Sequence, residues 1–237
     1  MKGTRRILVL LAAVLLCLAL AGCGSEPDAE TVHAILAEHS GFEPQDGHCI
    51  AAAYQPLLTE TSADGAVLYI YYCVTDNTLG GDGSLLQLDS IYSAAALTFR
   101  RGAGGWTLSE FWLPDEGAGR ARSIEQRFPE EAREALAGVS NFPVGSACNA
   151  AAAKALGVDV SAALGAMLDE FEASGLTADE VFGDRSIAAG LLGWYGELSI
   201  EYFETELSRD GLSQLRRELL ERALSATKEL LGDATVL

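Results

Sequence analysis

The sequence predicts an α+β fold: an N-terminal helix on a four-stranded antiparallel sheet, followed by a helical C-terminal region. Three observations carry this expectation. Residues 48–113 hold runs rich in β-branched and aromatic residues with two-residue alternation. Those runs are joined by short Gly/Asp/Ser turn segments rather than by helices, which favours antiparallel neighbours. From residue 123 onward the apolar spacing becomes helical, punctuated by capping residues and terminal glycines.

Taken in order, residues 29–39 place Val32, Ile35 and Leu36 on one helical face before Gly41. Residues 48–58 form a first strand with Ile50, Ala52 and Tyr54 on one side. After the turn at residues 62–65, the run from 66 to 75 is the strongest strand in the chain. A Gly/Asp/Asn loop at 76–84 precedes a third strand over 90–101. The Gly102-Ala103-Gly104-Gly105 connection then leads to a fourth strand over 106–113. A helix laid on such a meander is cystatin-like or nuclear-transport-factor-2-like in outline.

The remainder is helical. Ser123 and Gln126 have capping-box spacing, and Pro129-Glu130-Glu131 suits a helix start that ends at Gly138. Helices over 146–156 and 159–174 end at Gly157 and Gly175. Thr177 and Glu180 form a second capping box before an apolar stretch, 181–203, which Gly190, Gly193 and Gly196 interrupt. The helix over 210–231 is the most regular, with Leu212, Leu215, Leu219, Leu220, Ala223 and Leu224 on one broad face. The resulting division is a leader over 1–22, a tether over 23–28, an α+β domain over 29–156 and a helical region over 157–237 that packs on it.

The leader has Lys2, Arg5 and Arg6 before an apolar run over 7–20, short of the roughly 20 residues that span a bilayer as a helix. Leu20-Ala21-Gly22-Cys23 resembles the bacterial lipobox. That resemblance implies that Cys23 is acylated and becomes the first residue, anchoring the chain to the outer side of the cell membrane. The leader holds three of the 16 basic residues and none of the 34 acidic ones, which leaves 13 bases against 34 acids beyond it. Such a surface repels nucleic acid, so no nucleic-acid partner is expected. The expected partners are the membrane, through the anchor, and an envelope protein.

Tests for chemistry are mostly negative. The chain has no His-Glu-x-x-His, phosphate-cradling Gly-Lys-Ser/Thr, dinucleotide glycine fingerprint or Gly-x-Ser-x-Gly elbow. His33, His39 and His48 lack ligand spacing. Asp76, Asn77, Asp82 and Ser84 do not follow the calcium-loop pattern. No catalytic residue, metal or cofactor is therefore assigned. A hairpin centred near Thr61 would place Cys49 opposite Cys73, which favours a cross-strand disulfide over the alternative of two buried thiols on offset strands, with Cys148 a buried thiol. Tyr69, Tyr71, Trp106 and Trp112 cluster on the predicted sheet and form the candidate ligand surface.

Ser109-Glu110-Phe111-Trp112-Leu113-Pro114-Asp115 and Ile124-Glu125-Gln126-Arg127-Phe128-Pro129 carry a second likeness. With Gly47-His48 and the 66–72 run, they resemble the extracytoplasmic tail domain of clostridial membrane regulatory metallopeptidases related to beta-lactam-resistance sensors. The likeness spans residues 32–156. It departs at Glu116-Gly117-Ala118-Gly119, and the helical region has no counterpart in it. It implies an envelope setting and a regulatory role rather than a chemistry. The expectation is thus a lipid-anchored extracytoplasmic lipoprotein, a non-enzymatic sensing or protein-interaction module. A hydrolase of envelope polymers or peptides using unassigned carboxylates, and a small-ligand-binding lipoprotein, are the alternatives.

Overall fold

A computed structural model describes residues 26–183, 185–232 and 235–237, so Cys23 and the leader lie outside the described residues. Helix α1 (Ala29–Glu38) is followed by strands β1 (His48–Thr61), β2 (Gly65–Leu79), β3 (Leu85–Gly102) and β4 (Gly105–Trp112). Helices α2 (Arg120–Arg127), α3 (Glu130–Ala137), α4 (Asn141–Leu156), α5 (Val160–Ala173), α6 (Ala178–Val181), α7 (Arg185–Leu192), α8 (Glu197–Leu207) and α9 (Gln214–Leu231) complete the chain. The strands form one antiparallel sheet in the order β1-β2-β3-β4. The fold is therefore α+β, with an N-terminal helix on a four-stranded sheet and a helical C-terminal region.

Alternation sends even-numbered β2 residues to one face. There Leu68, Ile70, Tyr72 and Val74 join Leu97 and Phe99 of β3 under Val32 and Leu36 of α1. Asp28 caps α1 by accepting the Thr31 N–H at 2.7 Å. Burying these side chains contributes about 1.5–3 kcal/mol for each large aliphatic or aromatic residue.

The opposite face is built differently. Ala51, Ala53 and Cys73 present small side chains, and α4 lays Val144, Cys148, Ala152 and Ala153 onto them. Small residues on both sides let a helix backbone approach the sheet closely, so α4 becomes the central buried helix of the molecule. Leu164 and Leu168 of α5, Phe203 of α8, and Leu219, Leu220 and Ala223 of α9 pack outside it. Arg216 of α9 ties α5 through Asp169 at 2.8 Å and Glu172 at 3.1 Å. Among the described residues no single helix is long and apolar enough to cross a membrane.

Three sequence expectations are corrected. The β1–β2 turn occupies residues 62–64, with the Ser62 N–H donating to the Gly65 carbonyl at 2.8 Å, and β1 carries a bulge between Pro56 and Leu58. The register therefore pairs Cys49 with Asn77 and Cys73 with Ala53, so no Cys49–Cys73 disulfide forms and Cys49, Cys73 and Cys148 are free thiols. Ser123 does not start a helix, because α2 already begins at Arg120. Its hydroxyl instead accepts the Asp115 N–H at 2.9 Å and donates to the Arg120 carbonyl at 3.0 Å. Strands β2 and β3 also extend through the segment expected as a loop, leaving only residues 80–84 as a turn.

Candidate ligand-binding cleft

The predicted aromatic surface is not an open surface. Tyr69 is buried edge-on against Phe128, at 5.1 Å between ring centroids, and its hydroxyl donates to Glu60 at 3.2 Å. Trp112 also packs on Phe128, so α2 and its C-terminal turn cover both rings. Tyr71 reaches across to donate to Asn141 Oδ1 at the start of α4. Trp106 belongs to the α1 face, under the Arg101 guanidinium at 5.4 Å. The four residues thus divide between two faces, and α2, α3 and the start of α4 cover the face that carries Tyr69, Tyr71 and Trp112.

The histidines also separate. His33 stands edge-on to Tyr54, His39 stacks on Phe111 at 4.5 Å, and His48 Nδ1 lies 3.0 Å from Asp76. Alternation along β1 turns His48 and Cys49 to opposite faces, so they do not form a nucleophile pair. Burial and then the Asp76 charge raise the Cys49 thiol pKa, which leaves the thiol unactivated. Among the described residues, no group of three His, Cys, Asp or Glu side chains is placed to hold a metal. The acidic segment is consumed by β2 and the 80–84 turn. Asn77 Nδ2 donates to Thr75 Oγ1 at 2.7 Å, and Asp82 accepts the Ser84 O–H at 2.7 Å.

A different region stands out. The outward side of α7 and its following turn carries Ile187, Leu191 and Trp194, exposed by 62%, 48% and 37% respectively. Their spacing of four and three places them in one ridge. The inward side, Ala188, Ala189, Leu192 and Tyr195, is core. A surface helix normally turns polar residues outward, so an apolar outer face requires an explanation.

The ridge separates two concavities. One, about 710 Å³, lies between the 82–85 turn and α5, with Met167 and Ala163 on its wall. The other, about 580 Å³, lies between α7, the first half of α4 and β3. Its wall includes Tyr92, Phe142, Gly145, Asn149, Gly190 and Trp194.

Close approaches build this second cleft. A Cβ at Gly193 would fall 2.8 Å from the Ala189 carbonyl oxygen and 2.9 Å from Phe142 Cζ, so glycine lets the end of α7 close onto α4. Gly145 does the same for the Tyr92 hydroxyl, which a Cβ there would strike. Asn149 Nδ2 then donates to the Trp194 carbonyl at 3.2 Å, tying the ridge to the buried helix. A carbonyl can only accept, so the amide orientation is determined. It leaves Asn149 Oδ1 buried without a partner among the described residues.

Behind the cleft wall runs a buried polar chain. The Cys148 thiol donates to the Cys73 carbonyl oxygen at 3.3 Å, and the Cys73 thiol and Tyr92 phenol lie close enough to influence one another's ionisation. The bond to Cys73, and then burial, keep the Cys148 thiol protonated. Burial likewise raises the Tyr92 phenol pKa. Cys73 and Cys148 are both fully buried, so the pair is structural rather than reactive.

Sequence patterning missed this site because β3, α4 and α7 supply it from segments far apart in the chain. One signal was present: residues 187–195 are apolar on both sides of a short helical segment. Comparison with protein-family models, with curated proteins and with solved structures returns no match. The site is therefore judged on its own geometry.

Proposed function

We propose that this chain is a lipid-anchored extracytoplasmic lipoprotein acting as a non-catalytic sensing or interaction module. It makes contact through the face bearing Ile187, Leu191 and Trp194. The anchor rests on the basic and apolar leader ending in Cys23, and the envelope role draws support from the metallopeptidase-sensor resemblance over residues 32–156. The observation that carries the contact role is the exposed apolar ridge flanked by two concavities. An outward apolar stripe beside formed clefts is what a binding surface requires and what a merely soluble surface avoids.

The test uses the full chain in its native cells, with a photo-crosslinking residue at Ile187 and, as a control, at exposed Glu38 of α1. The expected result is a discrete adduct from position 187 and none from position 38. In parallel, an alkyne-tagged fatty acid should label the chain and be lost in Cys23→Ser. Equal, diffuse adducts from both positions would overturn the contact role, and labelling that survives Cys23→Ser would overturn the anchor.

A further inference from the structure

Resting on the proposal that this face is the contact site, we infer that the cleft between α4 and α7 binds a neutral, mainly aromatic small molecule.

Four observations converge. The volume, about 580 Å³, lies within the roughly 300–1,000 Å³ typical of small-molecule sites. In a chain with 16 basic and 34 acidic residues, none of the cleft's lining side chains is charged, which disfavours an ionic ligand. Tyr92, Phe142 and Trp194 contribute rings to the wall, suited to stacking or edge contact with another ring.

Gly190 adds a steric argument. It sits inside α7, where glycine is the poorest ordinary helix former, yet a Cβ there would meet nothing within 4 Å. Packing gives no reason for the missing side chain. The space it leaves opens into the cleft, where it admits a ligand ring against the helix backbone.

The test uses the full chain in phospholipid nanodiscs, labelled with 5-fluorotryptophan at its three tryptophans, Trp106, Trp112 and Trp194. Indole is the probe, and indole-3-acetate is its charged counterpart. Indole should shift the Trp194 fluorine signal saturably and leave the other two in place. Indole-3-acetate should bind about tenfold more weakly or worse, as expected of an ion entering a cleft without charged side chains. Gly190→Met should remove the shift without lowering the melting temperature, because methionine is a better helix former and its Cβ strikes nothing.

No saturable shift, equal affinity for the two probes, or unchanged binding in Gly190→Met would each overturn the inference. A discrete crosslink from position 187 with no indole binding would sink this inference and leave the contact role standing. Loss of both would sink both.

Discussion

The two faces of the sheet are made of different materials. Under α1 lie Leu68, Ile70, Val74, Leu97 and Phe99, large side chains that fill the space beneath a single short helix. Under α4 lie Ala51, Ala53 and Cys73, met by Cys148, Ala152 and Ala153. The first face gains its stability from buried area, and it too encloses polar atoms, among them His33 Nε2 beside the Tyr54 ring. The second gains close backbone approach. It also encloses Tyr92, Cys73, Cys148 and Asn149, and its outer helices leave a cleft open. One face holds the sheet to a lid, and the other builds a site.

If that contrast is right, the two faces should fail to opposite substitutions. The largest effect is expected from deletion on the α1 face. Phe99→Ala should cost about 3–5 kcal/mol in urea unfolding, by lost transfer energy and the cavity left behind. On the α4 face, enlargement should be the damaging change. Ala152→Leu adds volume where two small-residue surfaces meet and should cost about 1–3 kcal/mol in the same assay. A neutral Ala152→Leu would mean that α4 does not approach the sheet as closely as its composition implies.

A smaller effect sharpens the link between α4 and the cleft. Ser140 caps α4 by accepting the Phe142 N–H at 3.3 Å, and both residues line the cleft. Ser140→Ala should cost about 1 kcal/mol of stability. It should also raise hydrogen exchange at residues 141–145 without altering the α1 face.

The smallest effect concerns acid. Hydrogen bonds from Thr31 lower the Asp28 pKa below its ordinary 3.8, and those from Thr177 lower the Glu180 pKa below 4.5. Because the folded values lie below the unfolded ones, the stabilisation is complete above the ordinary values and fades as pH falls through the folded ones. Asp28→Asn keeps a capping oxygen but cannot titrate. Melting temperatures measured downward from pH 6 should therefore decline less steeply for Asp28→Asn than for the parent chain. Parallel slopes would remove Asp28 from the acid response.

The elements were legible in the sequence because alternation and capping are local. Ile50, Ala52 and Tyr54 share a side of β1, Thr177 and Glu180 form their capping box, and Gly157 takes the left-handed conformation after α4. Register was not legible. It depends on where the hairpin is centred and on single-residue bulges, here in β1 between Pro56 and Leu58, in β3 at Leu88 opposite the Asp76/Asn77 step of β2, and in β4 opposite the Thr98/Phe99 step of β3. The hairpin is centred near residue 63 rather than Thr61, which moves the partner of Cys49 from Cys73 to Asn77.

The site was hidden for a related reason. Aromatics on the sheet, Tyr69 and Trp112, drew attention because strands display them in pattern, yet Phe128 and its helix cover them. The ridge residues belong to a glycine-broken stretch whose apolar character resembled ordinary core. Only tertiary placement reveals that Ile187 and Leu191 face outward while Ala188 and Leu192 face inward.

The central claim is that stability and binding are divided between the faces, and a paired measurement tests it most directly. Indole affinity and unfolding free energy would be determined for Ile70→Val under α1 and for Gly190→Met on α7. The account predicts that Ile70→Val loses about 0.5–1.5 kcal/mol of stability with unchanged affinity, whereas Gly190→Met loses binding with stability intact. Affinity that falls with Ile70→Val and survives Gly190→Met would contradict it.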